Sequence, residues 1–196
     1  MADKFLDLMF TPKVLDAQRH YYGRAQTPFT DGGNDPLGRD EIDFIATRDS
    51  FYLSSVSETG WPYVQHRGGP PGFLKVIAPN ELAFADYQGN RQMLSTGNVA
   101  TNDRVCLFLM AYPHRTRLKI LGHSSVVDAR EHPELADHVA DASMRQITER
   151  IFRIKVVSYD WNCPKYITPR YTLTEVNEAV EPLKQRIKEL EAKLGL

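Results

Sequence analysis

The sequence predicts a mainly β fold with helices, in which about six or seven antiparallel strands form a closed or half-closed β-barrel. Between residues 50 and 159, short aromatic and β-branched runs alternate with turn signals, a pattern typical of strands joined by hairpins. This spacing favours a barrel over a doubly wound sheet. No G-x-G-x-x-G follows a predicted strand, so the sequence does not support a Rossmann-type dinucleotide site.

Residues 1–49 are predicted to form a helical arm that precedes the barrel. A helix is predicted over residues 11–22, where Thr11 suits the N-cap and Gly23 suits the position just after the end. A second helix is predicted over residues 39–48. Its predicted buried face consists of Ile42, Phe44 and Ile45.

Residues 50–170 are predicted to form the barrel, with short helices at 91–99 and 132–143. The run 104–111 is apolar after its first arginine, which predicts a strand buried on both faces. Gly122 lies inside a long predicted strand and indicates a bulge or bend. Seven strands are predicted, over residues 51–57, 61–67, 73–78, 81–86, 104–111, 117–128 and 151–159.

Residues 171–196 are predicted to form a C-terminal helix with a narrow apolar stripe. The members of the stripe recur at alternating steps of four and three, with charged residues between them. Pro182 interrupts the segment and indicates a kink or a new start. Two interpretations stay open: a surface helix packed on its own barrel, or a helix shared with a partner subunit. The stripe consists of Val176, Val180, Leu183, Ile187, Leu190 and Leu194.

The bulk composition excludes several classes of protein. The 196 residues are enough for a substantial core, and 24 basic against 25 acidic residues give no support for a nucleic-acid-binding surface. No apolar run is long enough to span a bilayer, and acidic residues interrupt the apolar N-terminus, which does not fit a signal peptide. Cys106 and Cys163 lie far apart, so we expect a reduced, cytoplasmic protein.

The sequence offers no clear metal site or catalytic nucleophile. Its six histidines lack the spacing that places ligands on one helix face, and there is no C-x-x-C pair, so we predict no metal. Cys163 is interpreted as an ordinary loop cysteine, because nothing nearby guarantees a lowered pKa of its thiol. No nucleophile elbow is visible. The catalytic residues therefore stay unassigned.

One segment, Asn90-Arg91-Gln92, offers groups that suit a phosphate. It combines an N-cap type residue, a planar guanidinium donor and an amide at the start of a predicted helix. Phosphates bind arginine forks and the free N–H groups of helix N-termini. A solvated surface arginine after a turn is the alternative interpretation, and the motif alone does not exclude it.

The strands next to this segment could hold a flat ring. The backbone of residues 84–86, and that of His66 and Arg67, could pair with the polar edge of a flavin. Lys75 or Arg117 would place a positive charge near the ring, which favours a reduced, anionic flavin. Together with the phosphate groups, these strands offer the contacts that an FMN would need, and the interpretation of Arg91 as a solvated surface residue stays open.

Five segments of the chain follow one another in an order found in a known family. They are G-W-P-Y-V-Q-H-R, F-L-K-V-I, L-A-F-A-D-Y-Q-G-N-R-Q, N-D-R-V-C-L-F-L-M and R-T-R-L-K-I-L-G-H-S-S-V-V. With them, residues 44–128 resemble the pyridoxamine 5′-phosphate oxidase-related family of FMN-binding split β-barrel proteins. A later segment, D-W-N-C-P-K-Y-I-T-P-R, resembles a C-terminal motif of one branch. The resemblance implies a homodimer with FMN between the two subunits.

The resemblance also implies which residues contact FMN. The phosphate-binding turn falls on Asn90, Arg91 and Gln92, and the ring-contacting strand falls on Ala85 and Asp86. The remaining implied contacts are Gln65, His66 and Arg67, then Lys75, Arg117, Trp161 and Arg170.

Two departures from the family pattern bear on the activity. Gly68-Gly69-Pro70-Pro71-Gly72 resembles an insertion and is interpreted as part of a substrate entrance. The C-terminal region lacks the R-L-H-D-R type motif, which argues against pyridoxamine phosphate as the substrate. We therefore expect an FMN-dependent oxidoreductase that transfers hydride or electrons to or from a small molecule, with NAD(P)H as a candidate donor. The alternatives are a non-catalytic flavin store or sensor, and a haem-handling split barrel.

Overall fold

A computed structural model describes residues 3–27, 33–161 and 164–195. Within these residues, seven strands form one antiparallel sheet in the order β2-β1-β5-β6-β7-β4-β3. The sheet does not close on itself, so the architecture is a split barrel and the predicted fold class is confirmed. The strands are β1 Ser50–Val56, β2 Pro62–Gly68, β3 Lys75–Ala78, β4 Glu81–Tyr87, β5 Arg104–Ala111, β6 Thr116–Asp128 and β7 Thr148–Trp161.

Short helices accompany the sheet, and one long helix follows it. They are α1 Asp3–Met9, α2 Pro12–Tyr22, α3 Arg39–Ala46, α4 Leu94–Thr101, α5 Pro133–Val139 and α6 Leu173–Leu194, with a 3-10 turn at Arg145–Ile147. None of the helices in the described ranges is long and apolar enough to cross a membrane. The chain divides into two compact units, Met1–Met110 with Arg117–Asn162, and Ala111–Thr116 with Cys163–Leu196.

The core of the first unit is aromatic at its centre. Phe84 of β4 stacks on Phe152 of β7 with ring centroids 4.9 Å apart, and Phe51 of β1 meets Phe84 edge-on at 5.2 Å. All three side chains are fully buried. Such pairs stabilise the fold beyond the area that they bury. They fix β4 and β7 side by side, with Phe84 directly opposite Phe152.

Strand β4 is buried on both faces, whereas β5 is not. In β4, every residue from Leu82 to Asp86 is buried. In β5, burial alternates: Leu107 and Leu109 are fully buried, while Phe108 and its outward neighbours are only half-buried. The prediction that residues 104–111 are buried on both faces was therefore wrong for the single chain. The apolar run therefore leaves an outward face that this chain covers only in part.

The glycine predicted to mark a bulge does so. The β6–β7 register shifts between Leu121 and Gly122. A Cβ on Gly122 would lie 2.7 Å from both Ile154 Cγ2 and Lys155 O, which is closer than real Cβ atoms approach. Only glycine lets the two backbones come together at this bend.

Three predicted helices differ in detail from the observed ones. Helix α3 buries Ile45 completely but leaves Ile42 37% exposed, so Ile42 was wrongly predicted to be buried. Its inner face is completed by buried Glu41. The helix predicted over 132–143 is shorter, because α5 ends at Val139. The helix predicted over 91–99 begins at Leu94 instead.

Helix α6 extends from a capping box to a left-handed glycine. Thr172 accepts a hydrogen bond from the Glu175 amide, and Glu175 bonds back to the Thr172 amide. Gly195 ends the helix at φ 75°. Pro182 lies inside without ending it. Most of the predicted stripe is solvent-exposed, namely Val176, Leu183, Ile187, Leu190 and Leu194.

Candidate functional site

A cavity of about 200 Å³ lies where β2, β4 and β7 meet the turn that precedes α4. Six of the residues predicted to contact a cofactor line it: Gln65, Arg67, Asp86, Asn90, Arg91 and Gln92. Sequence reasoning missed the other residues of its wall, which are Tyr63, Tyr87, Gly89, Met93, Leu94, Ser95, Thr96 and Arg150.

An ion-pair group, called here the arginine cluster, forms one wall and consists of Arg67, Asp86 and Arg150. Asp86 and Arg150 are directly opposite each other in the β4–β7 register, and Arg150 Nη2 lies 2.9 Å from Asp86 Oδ2. The second oxygen, Oδ1, accepts a hydrogen bond from Arg67 Nη1. The side chains of Arg67, Asp86 and Arg150 are only 14%, 10% and 18% exposed. One carboxylate thus serves two arginines in a mostly dry environment.

The arginine cluster has unused capacity for an anion. Arg67 Nε is buried and has no hydrogen-bond partner among the described residues. The Arg67 guanidinium also lies over the Phe152 ring, 5.1 Å from its centroid, which fixes its position. Each guanidinium carries five N–H donors, more than Asp86 and Glu149 engage, so the cluster has donors left for an anion.

The turn from Asn90 to Met93 supplies further donors. Asn90 Oδ1 accepts the Gln92 amide at 3.2 Å, while Arg91 and Met93 adopt left-handed backbone conformations at φ 58° and 57°. The first hydrogen bond within α4 joins the Gly97 amide to Met93 O. The amides of residues 94–96 therefore have no partner inside the helix, and these residues line the cavity.

Two side-chain hydrogen bonds hold α4 in place against the strands. Ser95 Oγ donates to Gln65 Oε1 at 2.7 Å, and Asn98 Nδ2 donates to Ser55 Oγ at 3.0 Å. Ser95 and Ser55 are each 1% exposed. The start of α4 is thus held against β1 and β2, beside the cavity that residues 94–96 line.

Arg91 is the most exposed arginine of the site. Its side chain is 62% exposed, and its only recorded ion-pair contact among the described residues is Glu149, at 3.9 Å. Glu149 also pairs with Arg150 at 2.9 Å. Three guanidiniums therefore face two carboxylates, which leaves an excess of positive charge at the cavity. Burial raises the pKa of Tyr87, so its hydroxyl stays protonated near neutral pH.

Two other predicted cofactor contacts, His66 and Arg117, lie on the outer face of the sheet. His66 is opposite Tyr52, and Tyr52 is opposite Phe108, so the three residues form a row across β2, β1 and β5. Arg117 of β6 extends the row, with its guanidinium 5.4 Å from the centroid of the Phe108 ring. In β2, where His66 and Val64 alternate with Gln65 and Arg67, this row is on the face opposite the cavity.

Lys75 and Ala85 do not line the cavity in this chain either. Lys75 lies in β3 opposite Ala83 and is half-buried. Ala85 is 4% exposed and packs in a small cluster with Ile151 and residues of α5. No side chain at position 85 can reach the cavity, although its backbone belongs to the strand that forms the wall.

The two predicted C-terminal contacts have partners of other kinds. Trp161 Nε1 donates to Glu41 Oε1 at 2.6 Å, and its ring meets Phe44 edge-on at 4.9 Å. Trp161 thereby fastens the end of β7 to α3. Arg170 belongs to the second unit, where its guanidinium lies 4.9 Å from the centroid of the Tyr112 ring. Cys163 lies outside the described residues.

The Gly-Gly-Pro-Pro-Gly segment is fastened to the backbone that joins α3 to β1. The Gly69 amide donates to Asp49 O at 2.9 Å and the Gly72 amide to Arg48 O at 2.8 Å. Gly72 has φ 76°, and a Cβ there would lie 2.8 Å from Ala46 O. None of residues 68–72 lines the cavity, and their place at a substrate entrance stays a prediction.

Comparison with protein families identifies the chain. Residues 40–161 match the family model described as pyridoxamine 5′-phosphate oxidase. The chain belongs to the pyridoxamine 5′-phosphate oxidase family. This confirms the resemblance predicted from the sequence, and the matched span contains both the cavity and the outer row. A comparison with curated proteins finds no match.

Three solved structures are similar to this chain at low sequence identity. A candidate pyridoxamine 5′-phosphate oxidase from Lactobacillus delbrueckii is 15% identical, with a TM-score of 0.50 over 64% of this chain and 93% of its own. HupZ from Group A Streptococcus, as the H111A variant, is 8% identical, with a TM-score of 0.49 over 64% of this chain and 99% of its own. General Stress Protein 26 from Bacillus anthracis is 14% identical, with a TM-score of 0.48 over 62% and 91%. At 15% identity, the likeness to the Lactobacillus delbrueckii structure shows the fold alone.

Proposed function

We propose that the protein binds FMN and that the cavity beside the arginine cluster holds the phosphate. The observation that carries this proposal is the pairing of two mostly buried arginines with one carboxylate at the cavity wall, which leaves an excess of positive charge there. A phosphate monoester is close to dianionic at neutral pH and accepts several charge-assisted hydrogen bonds. Such a group would balance the excess charge.

The turn and helix beside the cluster fit the same group. The free amides at the start of α4 and the Gln92 side chain offer neutral donors, and Arg91 is exposed enough to fold over a bound anion. Helix N-termini of this kind bind phosphates through their amides and the helix dipole. The predicted phosphate turn, Asn90 to Gln92, thus keeps its proposed role. The helix amides that would add to it are those of residues 94–96, because α4 begins at Leu94 and not at residue 91.

The size of the cavity supports a site shared between two subunits. Cavities that hold small organic ligands measure about 300–1,000 Å³, whereas this one measures about 200 Å³. It can enclose the phosphate end of FMN but not the whole cofactor. We therefore propose a homodimer in which the partner covers the ring of FMN.

The outer face of the sheet is the proposed surface for this partner. Val64, Tyr52 and half-buried Phe108 give it an apolar character, and His66 and Arg117 lie in the same region. Burial raises the pKa of the Cys106 thiol on this face, which keeps it protonated and unreactive. In such a dimer, His66 and Arg117 of one chain would approach the FMN that is bound in the cavity of the other chain.

The proposed activity is electron transfer between a reduced donor, such as NAD(P)H, and a small-molecule acceptor. When bound, FMN would supply the redox chemistry that amino-acid side chains lack. The residues of the chain would bind its phosphate, orient it against β4 and exclude water. Tyr87 would keep a proton on its hydroxyl at the edge of the cavity.

A non-catalytic flavin store or sensor is the second candidate, since the groups that line the cavity can bind a phosphate whether or not the ring reacts. Among the described residues that line the cavity there is no histidine or cysteine, and the carboxylate of Asp86 is engaged by two arginines. The site therefore offers few groups for acid–base catalysis. Binding without turnover would need no more than these residues provide.

Titration with FMN and with riboflavin tests the binding proposal. We expect flavin-free protein to bind FMN on the order of 100-fold more tightly than riboflavin, because only FMN carries the phosphate and each factor of ten corresponds to about 1.4 kcal/mol. Flavin fluorescence reports both affinities. Equal affinities would contradict the phosphate site, and a protein that binds neither would refute the proposal.

Anaerobic reduction separates the two candidate functions. The FMN-loaded protein is mixed with NADH or NADPH while the visible flavin absorption is followed, and an electron acceptor is then added. Bleaching by the donor and recovery with the acceptor, both faster than with free FMN, would support the oxidoreductase. A spectrum that neither donor bleaches faster than free FMN would support the flavin store.

A further inference from the structure

Helix α6 carries an apolar seam that this chain leaves exposed. Three heptads fit between its cap at Thr172 and its end at Gly195. The exposed fractions of the seam residues range from 43% to 76%, apart from half-buried Val180. The a positions are Leu173, Val180, Ile187 and Leu194, and the d positions are Val176, Leu183 and Leu190.

The narrowness of the seam indicates what kind of surface covers it. A helix that packs on a sheet or a globular core usually shows apolar residues at a, d and also e or g. In α6 the e positions are Asn177, Lys184 and Glu191, and the g positions are Ala179, Arg186 and Lys193. Apolar side chains at a and d alone, flanked by charges, are typical of a two-helix coiled coil.

We propose that α6 pairs in parallel and in register with α6 of a second copy of this chain. The residue types at the seam favour this arrangement, because β-branched residues at a with leucine at d specify parallel dimers. The two central a positions are Val180 and Ile187, and leucine occupies two of the three d positions, Leu183 and Leu190. Pro182 is at position c, which faces away from the seam, so its ring does not block the partner.

The flanking charges favour the parallel direction over the antiparallel one. In a parallel pair, a g residue faces the e residue five positions later on the other helix, which places Arg186 against the partner's Glu191 twice by symmetry. In an antiparallel pair, g positions face each other, and Arg186 would meet a basic residue such as the partner's Lys193. Like charges at such positions are destabilising.

The present partner of Arg186 does not prevent this contact. Arg186 Nη1 lies 3.0 Å from Glu189 Oε2 within its own helix, and both side chains are about half exposed. Surface pairs of this type contribute little to stability. The guanidinium is therefore available to the partner's Glu191 at little cost.

Disulfide trapping in the full chain tests the arrangement. In a Cys106→Ser, Cys163→Ser background, Val176→Cys and Leu190→Cys each place a thiol at a d position near opposite ends of α6. Gln185→Cys, at the outward f position, is the matched control. We expect both seam variants to oxidise to disulfide-linked dimers several-fold more completely than the control.

The cross-linked species distinguish the possible arrangements. Self-linkage at both seam positions supports a parallel pair in register. If either seam variant links to itself no more than the control does, the parallel pair is overturned. It is also overturned if residue 176 links preferentially to residue 190 when both variants are mixed. FMN binding by the same samples is measured separately, so failure of the seam and failure of the flavin site remain distinguishable.

A charge exchange tests the proposed contact of Arg186. In the Leu190→Cys chain, Arg186→Glu should lower the cross-linked fraction several-fold, because it faces the partner's Glu191. Adding Glu191→Arg should restore the fraction, although the new repulsion between residues 186 and 189 within the helix persists. Restoration therefore identifies the contact between helices, and its absence would overturn the proposed register.

Discussion

At the scale of single residues, the site depends on charged side chains at positions that alternation would give to the core. Asp86 shares its side of β4 with Phe84, and Arg150 shares its side of β7 with Phe152. Both strands thus point a charge into the barrel at one end, where Arg67 joins them. An unpaired ion at such a place is costly, so the three side chains depend on one another.

Replacing Asp86 tests this dependence. We expect Asp86→Asn to lower the free energy of unfolding of the flavin-free protein by about 3 kcal/mol, since two mostly buried arginines lose their common counter-ion. Denaturant unfolding measures the change, and added FMN should recover part of it because the phosphate replaces the lost charge. Asp43→Asn, which removes an exposed i, i+4 pair with Arg39, is the control. A change no larger than that of the control would contradict the role of Asp86.

Arg91, unlike Asp86, is exposed, so we expect its replacement to leave the fold intact. We expect Arg91→Ala to weaken FMN binding on the order of tenfold, the loss of one charge-assisted hydrogen bond, and to leave riboflavin binding unchanged. Unfolding midpoints should match those of the unmodified protein. Arg130→Ala removes another exposed arginine, which pairs with Asp128 outside the cavity, and should change neither affinity. FMN affinity unaffected by Arg91→Ala would remove this residue from the phosphate site.

At the scale of elements, the sequence predicted the strands better than the helix beside the site. Strand positions follow from alternation and turn residues, which are local signals. The start of α4 depends on left-handed backbone conformations at Arg91 and Met93. Arginine and methionine rarely adopt such conformations, so the sequence did not predict them. Because it rested on helix propensity alone, the prediction began the helix at residue 91 instead of Leu94.

The missed part of the cavity has a similar physical cause. Arg150 is 64 residues from Asp86, and only the β4–β7 pairing brings them together. No spacing in the sequence reveals such a partner. What could have been noticed is an arginine on the same side of a strand as Phe152 and Ile154, where alternation predicts an apolar residue.

The bulge at Gly122 provides a prediction at this scale. We expect Gly122→Ala to destabilise the fold by roughly 2 kcal/mol, because the added methyl group would overlap Ile154 and the Lys155 carbonyl. Gly97→Ala is the matched control. Gly97 lies in α4 with no atom within 4 Å of an added Cβ, so the change should be neutral or slightly stabilising. Thermal unfolding of both variants gives the comparison, and equal behaviour would show that the β6 bend tolerates a side chain.

At the scale of the whole molecule, the predicted cofactor contacts fall into separate sets. One set lines the cavity, and another, with His66 and Arg117, lies on the outer face of the same sheet. One FMN cannot touch both sets of a single chain, because the strands lie between them. Both sets can contact FMN if the outer face of one copy approaches the cavity of another, as the symmetry of a homodimer allows.

Val64 gives the means to test this arrangement separately from the α6 seam. Its side chain is 59% exposed on the outer face, so Val64→Asp should hardly change the stability of a single chain. If the partner covers this face, the buried charge should weaken FMN binding on the order of tenfold or more. Self-linkage through Leu190→Cys should persist, because the seam does not involve Val64. Val14→Asp places the same charge on α2 and serves as the control. Unchanged FMN affinity in Val64→Asp would exclude this part of the outer face from the flavin site. The ring of FMN would then be bound by one chain alone, without a partner covering it.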